Sequence, residues 1–380
     1  MSELQEVLRA IEQGRDTGER MALATVVGVR GSTYRREGAR LLVREAGRPV
    51  GTISGGCLEC DVRVTATEIM ADGVPRLLHF DLTADDEAVW GWGLGCNGMI
   101  DVFVEPAEGA IATAGAIRRA DLERRPLAAV LVTESPEGGP RPGTRMLVRE
   151  DGTVEGSLGG AELDELARQE GVRALAEERS GVVELGRGVR AFVEALVPPI
   201  RLLVCGAGHD AIPLVRLAAG LGWSVTVIDD RDAFLKPHRF PEAERLIKAE
   251  PIDAASAAGV DQRSHVVVMS HNFLRDKDYL RSFLGSPAPY LGMLGPAARL
   301  DKLLDALHAE GYEPDPADLV PVRGPAGLDL GGDGPDEVAW AITAEILAVH
   351  HGRSGGPLRD RTGPIHDRAS AQASAGTGAG

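Results

Sequence analysis

Cysteine is scarce in this chain. Four in 380 residues are too few for a disulfide framework, so reduced thiols and a cytoplasmic setting are expected. Basic residues are outnumbered, with 41 Lys and Arg against 57 Asp and Glu and a net charge of −16. This balance argues against duplex nucleic acid or an anionic membrane surface as the main partner. No uninterrupted apolar run approaches the roughly 20 residues a membrane helix needs, and no charged-then-apolar leader opens the sequence. Neither membrane insertion nor export is therefore expected. A carboxylate pair, a Ser/His/Asp set and a P-loop lysine are also missing as enzymatic signals. At this length two or three domains are expected.

What is present centres on GTISGGCLEC, residues 51–60. Gly55 and Gly56 free the backbone for a tight turn, and residues 57 to about 70 have helix-forming character, so Cys57 is expected near a helix N-terminus. Unpaired N–H groups and partial positive charge there favour a thiolate and can hold a phosphate. A small buried side chain packed under a glycine turn is the plainer alternative. An internal comparison weighs against it. Residues 38–58, GARLLVREAGRPVGTISGGCL, align without a gap to residues 143–163, GTRMLVREDGTVEGSLGGAEL, 105 positions further on. The strand, the turn glycine (Gly47, Gly152) and the loop glycine (Gly55, Gly160) recur, but Glu162 stands where Cys57 stands. A duplication that keeps its scaffold and carries the thiol in one copy points to chemistry at that thiol.

Before the first repeat lies GSTYRREG, residues 31–38, where Ser32, Thr33, Arg35 and Arg36, with Arg40 just beyond, bring hydroxyls and guanidinium forks near the Cys57 loop. Such a run suits an anion or a solvated face, and Arg40 recurs as Arg145, which suits a scaffold role. After the Cys57 helix, Gly91, Gly93, Gly95 and Gly98 make residues 90–98 a loop with exposed backbone and Cys96 at its tip. A loop this rich in glycine is either flexible or built for close approach to a ligand. The second copy has a shorter connection without a cysteine. Cys57, Cys60, Cys96 and His79 invite a zinc reading, but one C-x-x-C without a second pair is half a signature.

Pro198 and Pro199 mark a linker. Residues 201–230 then read as strand, glycine-rich turn, helix and strand, with Gly206, Gly208 and Ala211 in a G-x-G-x-x-A pattern and Asp229 placed 21 residues after Gly208, where a ribose-binding acid is expected. Further strands over 246–249, 265–269 and 290–293 alternate with helical segments such as 276–284 and 297–308, which implies a parallel doubly wound sheet. His209 at the helix start and His271 at the carboxyl end of a strand occupy positions where such sheets bind ligands. An opening helix with Leu4, Val7, Leu8 and Ile11 on one face is expected to end at Gly14, and a last helix runs from 336 to about 350. The expected fold is α/β. A duplicated α/β domain covers residues 1–197, with copies over about 20–106 and 125–196. A Rossmann-like domain covers 198–351, and a disordered tail 352–380.

GSTYRREGARLLV, GTISGGCLE, GLGCNG, CGAGHDA, VIDDR, MSHNFLRD, YLGMLGP and GPAGLDLG, in this order along nearly all of the chain, resemble the XdhC/CoxI family. The resemblance implies a molybdenum cofactor chaperone without turnover of its own. Such a protein binds molybdopterin, protects it while a cysteine desulfurase supplies the terminal sulfido ligand, and hands it to an apo-enzyme of the xanthine dehydrogenase type. A homodimer is the family expectation. Carried over, Cys57 and Cys96 match the family's cysteines and are the candidate molybdenum contacts, while Asn97 departs from a usual glycine. Gly55, Gly56, Glu59 and Arg40 accompany them as cofactor-binding candidates, and Gly206, Gly208, His209, Asp229 and His271 do so in the Rossmann half. Cys60 and Cys205 lie outside the pattern. The Rossmann half is open to a pterin phosphate, a nicotinamide or another nucleotide. Two other readings therefore stand: an NAD(P)-dependent oxidoreductase with His271 as general acid, and a sulfur carrier with a persulfide on Cys57.

Overall fold

The computed structural model describes residues 3–56, 58–82 and 97–362. The chain divides into two compact units between Pro198 and Pro199. The first unit contains α1 (Glu3–Thr17), β1 (Met21–Ser32), β2 (Arg40–Arg44), β3 (Val50–Gly51), α2 (Glu59–Asp72), β4 (Arg76–Asp81) and β5 (Asn97–Pro106), then α3 (Ala107–Glu123). It continues through β6 (Leu127–Glu134), β7 (Arg145–Arg149), β8 (Val154–Gly156), α4 (Ala161–Ala176), β9 (Gly181–Glu184) and β10 (Arg190–Leu196). The repeated sequence becomes repeated topology: two five-stranded antiparallel sheets, ordered β3-β2-β1-β5-β4 and β8-β7-β6-β10-β9.

Alternation along each strand sends one set of side chains to either face. Ala22, Ala24, Val26, Ile100, Val102 and Val104 pack beneath Val62, Ala66 and Ile69 of α2, and α4 covers the second sheet in the same way through Ala167 and Leu175. On the opposite faces Val27 and Phe103 of the first copy meet Leu131 and Phe192 of the second. Two ion pairs flank this contact reciprocally. Arg40 of the first copy binds Glu194 of the second, and Arg145 of the second binds Glu105 of the first, with all four side chains nearly buried. The two copies thus face each other as an internal pseudo-dimer.

The second unit is the expected parallel sheet. Its strands are β11 (Arg201–Cys205), β12 (Ser224–Asp229), β13 (Arg245–Lys248), β14 (Ser264–Val268), β15 (Tyr290–Met293) and β16 (Val322–Arg323). They lie in the order β13-β12-β11-β14-β15-β16. The helices are α5 (Ala211–Gly220), α6 (Ala254–Ala258), α7 (Phe273–Phe283), α8 (Ala297–Ala309) and α9 (Pro335–His350), and they bury both faces of the sheet. Strand order reverses between β11 and β14, which opens the crevice where such sheets take ligands.

Local differences from the sequence reading have physical causes. The opening helix passes Gly14 and ends at Thr17, before Gly18 with φ of 70°. At Gly14 the Met21 sulfur fills the space a side chain would need, so this glycine serves packing rather than termination. The helix after the Cys57 loop begins at Glu59. Helix α7 begins at Phe273, because the Asn272 side chain accepts the Arg275 N–H at 3.1 Å and caps it. No helix among the described residues is long and apolar enough to cross a membrane.

Candidate functional site

One end of the first sheet gathers the loops of the first copy. Strand β1 finishes at Ser32 opposite Asn97, where β5 starts. Gly51 at the end of β3 pairs with Leu41 at the start of β2. Strand β4 ends with Asp81 opposite Met99, and the Leu82 N–H donates to the Gly98 carbonyl at 2.9 Å. Cys57 and Cys96 lie outside the described residues. Their chain neighbours Gly56, Leu58 and Asn97 belong to this end of the sheet.

The loop before α2 is held by a clamp of its own. Glu59 accepts hydrogen bonds from the Thr52 hydroxyl at 2.9 Å, the Ser54 N–H at 3.0 Å and the Ser54 hydroxyl. The Ser54 oxygen accepts in turn from Gly56 N–H at 3.1 Å and Leu58 N–H at 3.2 Å. Burial raises the Glu59 pKa, but the Ser54 and Thr52 hydrogen bonds outweigh it and leave the carboxyl below its ordinary value. The expected anion pocket at this helix start is thus already answered by the chain's own hydroxyl and carboxylate. The second copy repeats the device: Asp164 accepts from the Ser157 hydroxyl at 2.7 Å and Leu158 N–H at 2.6 Å, and Gly159 N–H donates to Ser157 at 3.0 Å. Glu59 and Asp164 occupy equivalent positions, which suits a scaffold role for Glu59. The Arg40 guanidinium is likewise engaged within the chain, by Glu194 and the Gly38 carbonyl.

Open backbone remains at the tip. Gly55 and Gly56 are exposed, and Gly56 takes φ of 110°, which a larger residue would resist. Among the described residues, a side chain added at Gly56 would meet nothing within 4 Å, and one at Gly55 would meet only the Tyr34 ring at 3.9 Å. Tyr34 is itself 68% exposed. The sequence reading gave weight to the arginines of GSTYRREG and missed this tyrosine, whose signal was an aromatic set among charges. In the second copy Gly159 and Gly160 are likewise exposed, and a side chain added at either would meet nothing within 4 Å among the described residues. Glu162, at the position of Cys57, pairs with Arg187 of the β9–β10 hairpin at 2.5 Å. His79 is engaged elsewhere, its Nδ1 2.7 Å from Asp101. Among the described residues no three His, Cys, Asp or Glu side chains form a metal-holding group.

The crevice of the second unit is shaped by close backbone contacts and by the chain's own hydrogen bonds. Gly206 has φ of 111°, and a side chain there would stand 2.7 Å from the Ser270 backbone, so this glycine permits the close approach of the β11 and β14 ends. Gly208 lies opposite the His271 ring, 3.9 Å from where its side chain would be. His271 takes φ of 56° and directs Nε2 to Asp210 at 2.8 Å, while His209 is exposed. Asp229 accepts four hydrogen bonds, from Ala207 N–H at 2.7 Å and from Arg231 N–H, Nε and Nη2 at 2.8, 2.8 and 2.7 Å. Burial raises its pKa, but these bonds prevail and hold the carboxyl low. A carboxylate offers about four lone-pair directions, and none is left for a ribose hydroxyl. Cys205 is a core thiol, its pKa pushed up chiefly by burial.

Comparison with known proteins decides the family. A model of the XdhC Rossmann domain matches residues 202–346. A model of the XdhC and CoxI family matches twice, over 15–81 and 121–186, once in each copy. A protein of Bacillus subtilis strain 168 named as a probable xanthine dehydrogenase subunit is 30% identical over 330 residues, 87% of this chain and 93% of the relative. The chain belongs to the XdhC and CoxI family. Another relative, the molybdenum cofactor insertion chaperone PaoD of Escherichia coli K12, is 25% identical over 90% of this chain and 87% of its own length. A crystal structure described as a xanthine dehydrogenase from Bacillus halodurans matches with a TM-score of 0.72 and 28% identity, covering 94% of this chain and 99% of that one. The XdhC and CoxI fold thus extends over both units.

Proposed function

We propose that this chain is a molybdenum cofactor chaperone that binds the cofactor as cargo and inserts it into an apo-hydroxylase of the xanthine dehydrogenase type. The names of the B. subtilis and E. coli relatives support the reading. The observation that carries it is the exposed glycine backbone beside Tyr34 in the first copy. In the first, bare Gly55–Gly56 backbone and an exposed Tyr34 occupy the end of the sheet from which both cysteine-bearing segments leave. In the second, Glu162 stands at the position of Cys57 and pairs with Arg187 on the exposed surface.

A pterin is flat and rich in hydrogen-bonding edges, which suits open backbone beside an aromatic ring, and a soft thiolate suits the metal it carries. In this proposal Cys57 and Cys96 meet the metal and Gly55 and Gly56 let the cargo lie close. A cysteine desulfurase supplies the sulfido ligand while the cargo is held, and the working form is a homodimer in the cytoplasm. The same proposal leaves the crevice around Gly208, His209 and His271 to a phosphate-bearing part of the cargo. The oxidoreductase alternative is disfavoured by the saturated carboxylate of Asp229. The test is reconstitution. Apo-hydroxylase mixed with free cofactor is expected to gain activity faster when the chain is added, and equal rates with and without it would reject the reading.

A further inference from the structure

A groove of about 520 Å³ runs along α2 in the first copy, lined among others by Arg20, Val43, Cys60, Arg63, Val64 and Met70. Cys60 is a free, exposed thiol and Val64 is 64% exposed. The Arg63 guanidinium has no partner among the described residues, although the chain as a whole carries a charge of −16. The second copy supplies an internal control. At the positions equivalent to Cys60, Arg63 and Val64 stand Glu165, Arg168 and Gln169. There Glu165 takes two bonds from Arg168, at 2.8 and 2.6 Å, and one from Gln169 at 2.8 Å. The second helix thus neutralises its own surface. In the first, the carboxylate is replaced by a thiol and the amide by valine, which leaves a cation and an apolar side chain unsatisfied at one groove.

We propose that this groove docks the client apo-hydroxylase, through a segment that offers a carboxylate to Arg63 and an apolar side chain to Val64 and Met70. The inference rests on the chaperone reading above. Charge complementarity supports an acidic segment. Continuity with the cargo end supports the client, because α2 begins at Glu59, the residue that clamps the Cys57 loop. A client seated along this helix lies beside the cargo it receives.

The test uses the full chain and the purified apo-hydroxylase of the same organism. Arg63→Glu and Val64→Asp are each expected to weaken binding at least tenfold. Arg168→Glu, on the second copy, should change it less than twofold, and all three variants should keep the wild-type molybdenum and pterin content. Exposed substitutions of this kind seldom disturb folding. A measurement on the wild type needs no variant: bound apo-hydroxylase should slow maleimide labelling of Cys60 at least fivefold. Groove variants that bind like wild type, equal loss in Arg168→Glu, or unprotected Cys60 would overturn the docking surface. If the wild type carries neither molybdenum nor pterin, the chaperone reading itself fails, which is a separate outcome.

Discussion

Glu59 receives the Thr52 and Ser54 groups, and Ser54 passes the restraint to the N–H groups on either side of Cys57. Replacing Glu59 by Gln keeps its size and removes the charge that strengthens these bonds, an expected loss of about 1–2 kcal/mol in thermal unfolding. Because folding lowers the Glu59 pKa, its contribution is present above the ordinary carboxylate range and is lost as pH falls through that range. The gap in Tm between wild type and Glu59→Gln should therefore be widest near neutrality and narrow in acid. His265 works at higher pH. It is fully buried, its Nε2 has no hydrogen-bond partner, and burial, against the Arg263 carbonyl contact, lowers its pKa from 6.5 to about 4. The unfolded imidazole takes a proton that the folded one refuses. Stability is complete above 6.5 and declines as pH drops from 6.5 toward 4, by about 3 kcal/mol at most on the scale of 1.36 kcal/mol per unit. His265→Phe should flatten that limb, and a wild-type Tm that stays level through the window would refute the assignment. Asp229 shows where reading residues from spacing stops. Its distance from the glycine turn was plain in sequence, but its occupation by Arg231 and Ala207 depends on how β12 ends against the turn.

The helices and strands of the first unit answer to a pseudo-symmetry that one line of sequence already displayed. GARLLVRE and GTRMLVRE fold into equivalent strands because the same run of three buried apolar residues between half-buried arginines recurs. The faces that meet were not legible, since Phe103 and Phe192 belong to strands far apart in the chain and only the folded sheets bring them together. Arg40 reads in sequence as an anion ligand or, through its recurrence as Arg145, a scaffold residue, and the pairing of the two arginines with Glu194 and Glu105 suits the scaffold role. Removing one member leaves a buried charge alone, so Arg145→Ala should cost about 3–5 kcal/mol. The double variant Arg145→Ala with Glu105→Ala should recover part of that loss in denaturant unfolding. Additive losses would show that the two charges do not interact. Element boundaries were legible where the chain supplies local signals, as for β15, and missed where tertiary contacts decide, as at Gly14 beneath Met21.

As a whole, the chain divides its labour. The second copy completes a shared core and pairs its exposed charges as Glu162–Arg187 and Glu165–Arg168, while Arg63 of the first has no partner among the described residues. The Rossmann unit keeps the fold and occupies Asp229 from within, and the proposed cargo site lies in copy one. The measurement that tests this most directly is the molybdenum and pterin content of the protein purified from cofactor-producing cells, comparing wild type, Cys57→Ala and Cys60→Ala. Metal and pterin are expected together in wild type and Cys60→Ala, with at least a fivefold loss of both in Cys57→Ala. Equal content in all three, or none in the wild type, would contradict a cargo site built around Cys57.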